Sequence, residues 1–304
     1  MITFFSLKAP IFFSNSVFAN ILSDWVPVVL IAIGETFVII TGGIDLSVGS
    51  TIGFSGVMAA FAMRSLTEHN VSDNVAILAG TGVALAVGLG IGLINALLIT
   101  RARIVPFVAT LATLGAFRGL CIVTTGGGPV GDGPASAISL SVSKFGPLNS
   151  PGLIVVVIVG ILGAYLHQTR FGRYTYAIGS NSFAARSAGI NVKRHLTKVY
   201  MLSGALAGLA GRYLYIRLGV GSPSSGQSGE LAAIAAVVIG GASLAGGSGR
   251  MSGTVLGAFI LTTVTSGLII IGVAPNWKQV VVAILIAGAV FTQGLRNWTK
   301  GGDL

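Results

Sequence analysis

The chain has 304 residues, of which 53% are hydrophobic and only 9% charged, against roughly 25% charged in an ordinary soluble domain. So few charges cannot cover a soluble surface, which excludes a free globular protein. The net charge of +10 invites a nucleic-acid reading, but the basic residues lie mainly in short connections between apolar runs, the pattern of membrane topology.

Charge-free runs at 46–63, 74–100, 145–169, 231–249 and 251–277 are each 18 residues or longer, and about 20 apolar residues span a bilayer as a helix. The chain therefore reads as an all-α, polytopic membrane bundle with one domain over 1–304. Residues 2–22 are apolar but broken by Lys8, Pro10 and Ser14-Asn15-Ser16, with no basic head and no small-residue cleavage site. They read as an interfacial lead-in or a poor extra span, not a signal peptide.

About nine spans follow (eight to ten), at roughly 24–42, 46–63, 75–100, 104–124, 151–168, 198–218, 231–247, 250–272 and 278–295. The first two are separated by Thr41-Gly-Gly-Ile-Asp-Leu-Ser-Val-Gly-Ser50, where glycines weaken a helix and an acid stands at a helix break. An ionisable group at membrane depth faces protein or water rather than lipid. If the first span runs outside to inside, Asp45 falls near the cytoplasmic face, as a cap for the next helix start or as a gate. Glu35, ten residues earlier, falls ~15 Å deeper, with Arg118 or Arg212 as candidate cation partners. Its readings are a buried structural pair, a pathway lining or an ion-coupling site.

Glycine pairs recur in Gly88-Leu-Gly-Ile-Gly92 and Gly204-Ala-Leu-Ala-Gly208, spacings that let helix backbones approach closely. Residues 125–150 are rich in Gly, Pro and Ser and form an external loop too long for a tight turn. Residues 169–198 carry Arg170, Arg173, Arg186, Lys193, Arg194 and Lys198 with no acid. Within them, Ser180-Asn181-Ser182 can cap a helix that Gly189 ends. A helix of about two turns is unstable alone, so it packs on its own spans or on another polypeptide. The seventh span is short and ends in glycines, which suggests a re-entrant segment. Val38–Leu46 and Val237–Leu244 echo each other as β-branched runs ending in a glycine pair, either a parallel internal repeat or chance.

Eleven basic residues (Arg101, Arg103, Arg170, Arg173, Arg186, Lys193, Arg194, Lys198, Arg250, Arg296, Lys300) fall on one side and four (Lys8, Arg64, Lys144, Lys278) on the other. The richer side is cytoplasmic. Cys121 is the lone cysteine, a packing residue rather than a disulfide or metal ligand.

Four stretches taken together resemble the permease subunits of bacterial carbohydrate ABC importers of the ribose/xylose/galactose type, a group that includes autoinducer-2 importers. They are Gly43-Ile-Asp-Leu-Ser-Val-Gly49, Arg170-Phe-Gly-Arg-Tyr174, Ala185-Arg186 with Gly189-Ile-Asn-Val192, and Ala235-Ala-Val-Val-Ile-Gly-Gly-Ala-Ser-Leu-Ala-Gly-Gly247. The likeness runs in order from about residue 12 to 295. It implies a bacterial cytoplasmic-membrane protein that pairs with a second permease subunit, identical or different. Cytoplasmic ATP-binding subunits would drive it and an extracytoplasmic sugar-binding protein would supply it. The chain would bind no cofactor or metal itself, ATP-Mg being used by the partner, and no nucleic acid.

By the same resemblance Ser182, Phe183, Ala184, Ala185, Arg186, Ala188 and Gly189 form a coupling helix that docks on the ATPase. Ser182 stands where Asn or an acid is more usual, and Ala188 where Ser is common. Family members usually carry a further helix before residue 12, so a truncated or misassigned start, or a short-form subunit, is expected here. Candidate pathway or gate residues are Glu35, Gly42, Gly43, Asp45, Ser47, Gly240 and Gly241. Trp25, Asn95, Phe107, Thr110 and Tyr213 are candidates for sugar contact. None of the lysines follows a glycine, so the chain has no phosphate-binding loop of its own. The alternatives are an ion-coupled carrier using Glu35 and Asp45, a branched-chain amino-acid ABC permease, and a membrane enzyme. The last is opposed by three scattered histidines without a zinc motif.

Overall fold

The computed structural model describes residues 2–142, 144–145, 148–274 and 277–300. In chain order the helices are α1 (Ile2–Lys8), α2 (Asn15–Ile40), α3 (Val48–Glu68), α4 (Asp73–Thr100), α5 (Pro106–Thr125), α6 (Ala135–Val142), α7 (Ser150–Gln168), α8 (Arg170–Ser180), α9 (Ser182–Ser187), α10 (Val192–Leu218), α11 (Gly229–Ile239), α12 (Met251–Ile270) and α13 (Trp277–Lys300). A 3-10 turn at Pro10–Phe13 and a two-residue antiparallel pair, Lys144–Phe145 with Leu148–Asn149, complete the described elements. Each expected span is one helix. Five of them (α2, α4, α5, α7 and α12) contain stretches long and apolar enough to cross a membrane.

α2 is the central post. Val26, Val29, Ile33, Phe37 and Ile40 are wholly buried, as expected of a helix apolar all round. It begins at Asn15 rather than near 24 because Ser14 caps it, accepting the Val17 N–H at 3.3 Å. Pro27 lies inside it and cannot donate to the Ser23 carbonyl. The Tyr213 hydroxyl of α10 donates to that oxygen instead, at 3.1 Å. The kinking residue is thus accommodated by a partner helix.

α4 and α10 pack backbone to backbone through the two glycine runs. A Cβ added at Gly88 would overlap the Gly204 carbonyl, one at Gly92 the Tyr200 carbonyl, and one at Gly208 the Ala84 carbonyl. Close approach of this kind replaces the hydrophobic driving force that lipid does not supply.

The seventh span is half a helix. α11 has 11 residues, ~16 Å of rise against a hydrocarbon core of about 30 Å. A non-helical leader of successive turns runs along the side of α3 to reach its start. The positions Gly221, Ser225 and Gly226 lie successively against Gly56–Ala60, Gly53 and Gly49. Arg118 of α5 holds this leader, with Nη1 donating to the Pro223 and Ser225 carbonyls at 2.9 and 3.1 Å and Nη2 to that of Gly226 at 3.4 Å. Arg118 is therefore committed to the leader and is not the partner of Glu35.

The sequence echo corresponds to one shared way of ending a helix. Gly43 N–H bonds the Val38 carbonyl at 3.1 Å and Ala242 N–H bonds that of Val237 at 3.2 Å. Gly42 and Gly241 take φ of 82° and 87°, the left-handed geometry that glycine adopts at little cost. The two ends are tied together, since Gly247 N–H donates to the Ile40 carbonyl at 2.9 Å.

Residues 169–198 are more ordered than a loop with one short helix. α8 is capped by Thr169, whose hydroxyl accepts the Phe171 N–H at 3.2 Å. α10 starts at Val192, six residues before the expected span, capped by the Asn191 side chain, which accepts the Arg194 N–H at 3.0 Å.

Candidate functional site

The break between α2 and α3 is not where counting residues along a helix puts it. The Glu35 carboxylate accepts the Asp45 backbone N–H at 3.0 Å, so residues 41–47 fold back up beside α2. Asp45 therefore sits level with Glu35, not at the cytoplasmic face, and the expected ~15 Å separation collapses to one hydrogen bond. Both residues are buried. A straight-helix count cannot foresee a chain that reverses at Gly42.

A polar network spreads from Asp45 across five helices. Its Oδ1 accepts the Ser47 N–H at 3.0 Å, the Ser47 hydroxyl at 2.6 Å and the Asn95 amide at 3.4 Å. Its Oδ2 accepts the Ser203 hydroxyl of α10 at 2.9 Å. The Asn95 amide also donates to Ser47 Oγ at 2.7 Å, and its oxygen accepts from the Thr113 hydroxyl of α5 at 2.6 Å. Thr110 donates to the Ile44 carbonyl at 3.1 Å, fixing the re-entrant loop from the α5 side. Buried donors with satisfied acceptors rigidify a site, and this one joins α2 through α5 with α10.

No ion pair reaches the network. Among the described residues the salt bridges are Arg64–Glu68 and Asp24–Arg217, and the Arg212 Nε has no hydrogen-bond partner. Arg212, like Arg118, does not serve Glu35. Glu35 Oε2 and the Tyr200 hydroxyl, both buried, also lack hydrogen-bond partners. The Tyr200 hydroxyl lies against Gly43, where a Cβ would strike it.

Glu35, Gly43, Asp45 and Ser47 thus converge. Gly42 instead lies beside Gly246 at the junction of the two helix ends, and Gly240 packs on the Gly253 backbone. Asn95 and Thr110 belong to the buried network rather than to a sugar-contact surface. Trp25 is buried, with its indole N–H on the Val255 carbonyl at 3.4 Å, and Tyr213 serves Ser23. Phe107 is exposed on α5. Ser203, Tyr200 and Thr113 join the site without having been sequence candidates; a hydroxyl inside an otherwise apolar span is the signal that marks them.

On the basic side, α9 is capped by Asn181, which accepts the Ala184 N–H at 2.9 Å, and ends at Gly189 with φ 85°. Phe183 is 77% exposed, whereas Ala185 is 5% exposed and packs with Ile178 and Val192. Ser182, Ala184, Arg186, Ala188 and Gly189 face outward. Ala185 is thus the inward anchor of α9, not a contact surface. Nearby, the Tyr176 hydroxyl of α8 donates to the Gly249 carbonyl at 2.7 Å. Burial pushes its phenol above the ordinary value, with Arg250 pulling the other way, so it stays a neutral donor.

A family model described as branched-chain amino acid transport system / permease component matches residues 17–290. The chain belongs to this permease family. It is 40% identical over 302 residues to the ribose import permease protein RbsC of Escherichia coli K12, covering 98% of this chain and 91% of that protein. It is 42% identical over 266 residues to RbsC of Bacillus subtilis 168, covering 86% and 79%. Against the autoinducer 2 import system permease protein LsrC of Yersinia enterocolitica the identity is 34% over 289 residues, covering 93% and 76%. No solved structure matches the chain. The protein is a multi-pass permease subunit of the cytoplasmic membrane, and the relatives it resembles are import permeases for ribose and autoinducer 2. The branched-chain amino-acid alternative is not favoured by these relatives.

Proposed function

We propose that this permease forms the translocation path for a ribose-like monosaccharide or related compound, powered by separate cytoplasmic ATP-binding subunits. The observation that carries the reading is the near-full-length likeness to ribose import permeases from two distant bacteria. A second permease subunit completes the path, and an extracytoplasmic sugar-binding protein delivers the substrate. ATP-Mg belongs to the partner subunits.

The coupling contact is α9. Its capped ends and inward Ala185 hold it rigid, while Phe183, Ala184 and Arg186 project from a strongly basic surface. A rigid helix with an exposed aromatic anchor is suited to entering a groove on a partner. Exchanging Ala184 for Glu is expected to lower co-purification of the ATP-binding subunit and sugar uptake at least tenfold, with normal amounts of permease in the membrane. Unchanged co-purification would sink the coupling role. Ala185→Glu is expected to fail differently, by disturbing the packing of α9 itself.

The direct test of the whole reading is uptake of labelled ribose, xylose and galactose by cells expressing the permease with its neighbouring transport genes. Uptake of none of them would overturn it.

A further inference from the structure

A cavity of about 530 Å³ opens between α2, α10, α11, α12 and α13, within the ~300–1,000 Å³ range of small-molecule sites. Its lining includes Arg217 near the end of α10, Ile269 at the end of α12 and Gln279 near the start of α13. All three are extracytoplasmic in the charge-derived orientation, so the mouth faces outward. Val28, Ile31, Ile52 and Leu261 make an apolar floor, and Ile31 stands one helical turn before Glu35. The floor therefore separates the cavity from the buried network.

The rim is polar. Asp24 pairs with Arg217 through Oδ1 and accepts the Ser266 hydroxyl through Oδ2 at 3.0 Å. Gln279 Nε2 donates to Ser228 Oγ at 3.2 Å, and Thr262 and Thr265 also line the space. Among the described residues of the lining, Asp24 and Arg217 are the charged ones, and they neutralise each other. Their side chains remain 41% and 28% exposed, so both keep unshared hydrogen-bonding capacity.

Resting on the import reading above, we propose that this cavity is a binding site for an uncharged polyol within the single subunit, with Asp24, Arg217, Thr265 and Gln279 as its specificity-determining residues. A neutral polyhydroxylated ring offers donors and acceptors to the same rim and lays its C–H face on the apolar floor. Among the described lining residues a phosphorylated sugar finds no unpaired cation, and burying its charge would be costly. Arg and carboxylate groups make stronger hydrogen bonds than neutral partners do, which suits a site crossed by a strongly hydrated solute.

The test uses the whole importer, expressed with its partner genes in cells that lack other ribose uptake. Initial uptake of labelled ribose is measured for Gln279→Ala, Thr265→Val and Arg217→Met, together with the amount of permease in the membrane and co-purification of the ATP-binding subunit. At least a tenfold fall in uptake at unchanged abundance and co-purification is expected, with Thr265→Ser restoring uptake. Uptake within twofold of the parent in all three variants overturns the site while leaving the import reading intact. Absence of uptake of any tested sugar by the parent overturns both.

A second measurement does not depend on transport. The lone Cys121 is buried, so a membrane-impermeant maleimide added from outside is expected to react with Ala232→Cys, in the cavity wall, at least tenfold faster than with the parent. Failure of that cysteine to react overturns the outward-facing cavity.

Discussion

Replacing Gly204 with valine is expected to prevent the protein from folding. The added Cβ would overlap the Gly88 carbonyl oxygen and approach the Gly92 nitrogen at 3.0 Å. These are backbone atoms of a facing helix and have no rotamer to change. Overpacking in a tight core costs about 1–3 kcal/mol, and more when nothing can move. In α4 and α10 the strain also separates the helices that carry Asn95 and Ser203, so the polar network opens with the packing. The check is the fraction of permease that runs as a single species in mild detergent, expected to fall at least tenfold. Gly90→Val on α4 is the control, since nothing lies within 4 Å of its Cβ position, and it is expected to leave that fraction unchanged. Equal behaviour of the two variants would refute the close-packed seam.

Asp45→Leu is expected to have the second-largest effect. It strands the Ser47 N–H and the Ser47 and Ser203 hydroxyls, at about 1–3 kcal/mol for each buried donor left unpaired, while Asn95 keeps its bond to Ser47 Oγ. Losses of that size consume much of an ordinary folding stability of about 5–15 kcal/mol. Asp45→Asn is expected to be milder, because one oxygen still accepts while its amide faces a donor. The ranking parent, Asn, Leu should appear in the temperature at which detergent-solubilised protein aggregates. A leucine variant as stable as the parent would show that the network contributes little.

The class and layout of this protein are legible in its composition. Apolar length gives the succession of the spans, because lipid allows few other solutions for the backbone. The glycine runs at 88–92 and 204–208 likewise announce a seam, and the structure pairs them with each other. Depth is what a linear reading loses. A straight count places Asp45 near the cytoplasm, each residue adding a further 1.5 Å of descent, yet Gly42 reverses the chain and returns Asp45 to Glu35. Arg118 was similarly a candidate for the carboxylate, while the structure gives it the carbonyls of the leader at 223–226. Those carbonyls need a donor only because the segment is not helical, a fact visible only once the fold is known. Ala185 shows the same limit on a smaller scale, since one residue of a short helix must face inward and its neighbours outward.

The shortness of α11 has a consequence for biogenesis. A segment of 11 residues is too short to be released into lipid as an independent span. Its leader has carbonyls, at Pro223 and Ser225, that take their hydrogen bonds from Arg118 of α5, as backbone at membrane depth requires. α11 therefore has to be taken up by a bundle already assembled from the preceding helices and then closed over by α12 and α13. A chain ending shortly after Ile239 is expected to leave α11 accessible to protease, whereas one extended through α12 is expected to protect it. Protection in the shorter chain would show that the half-helix inserts without its successors.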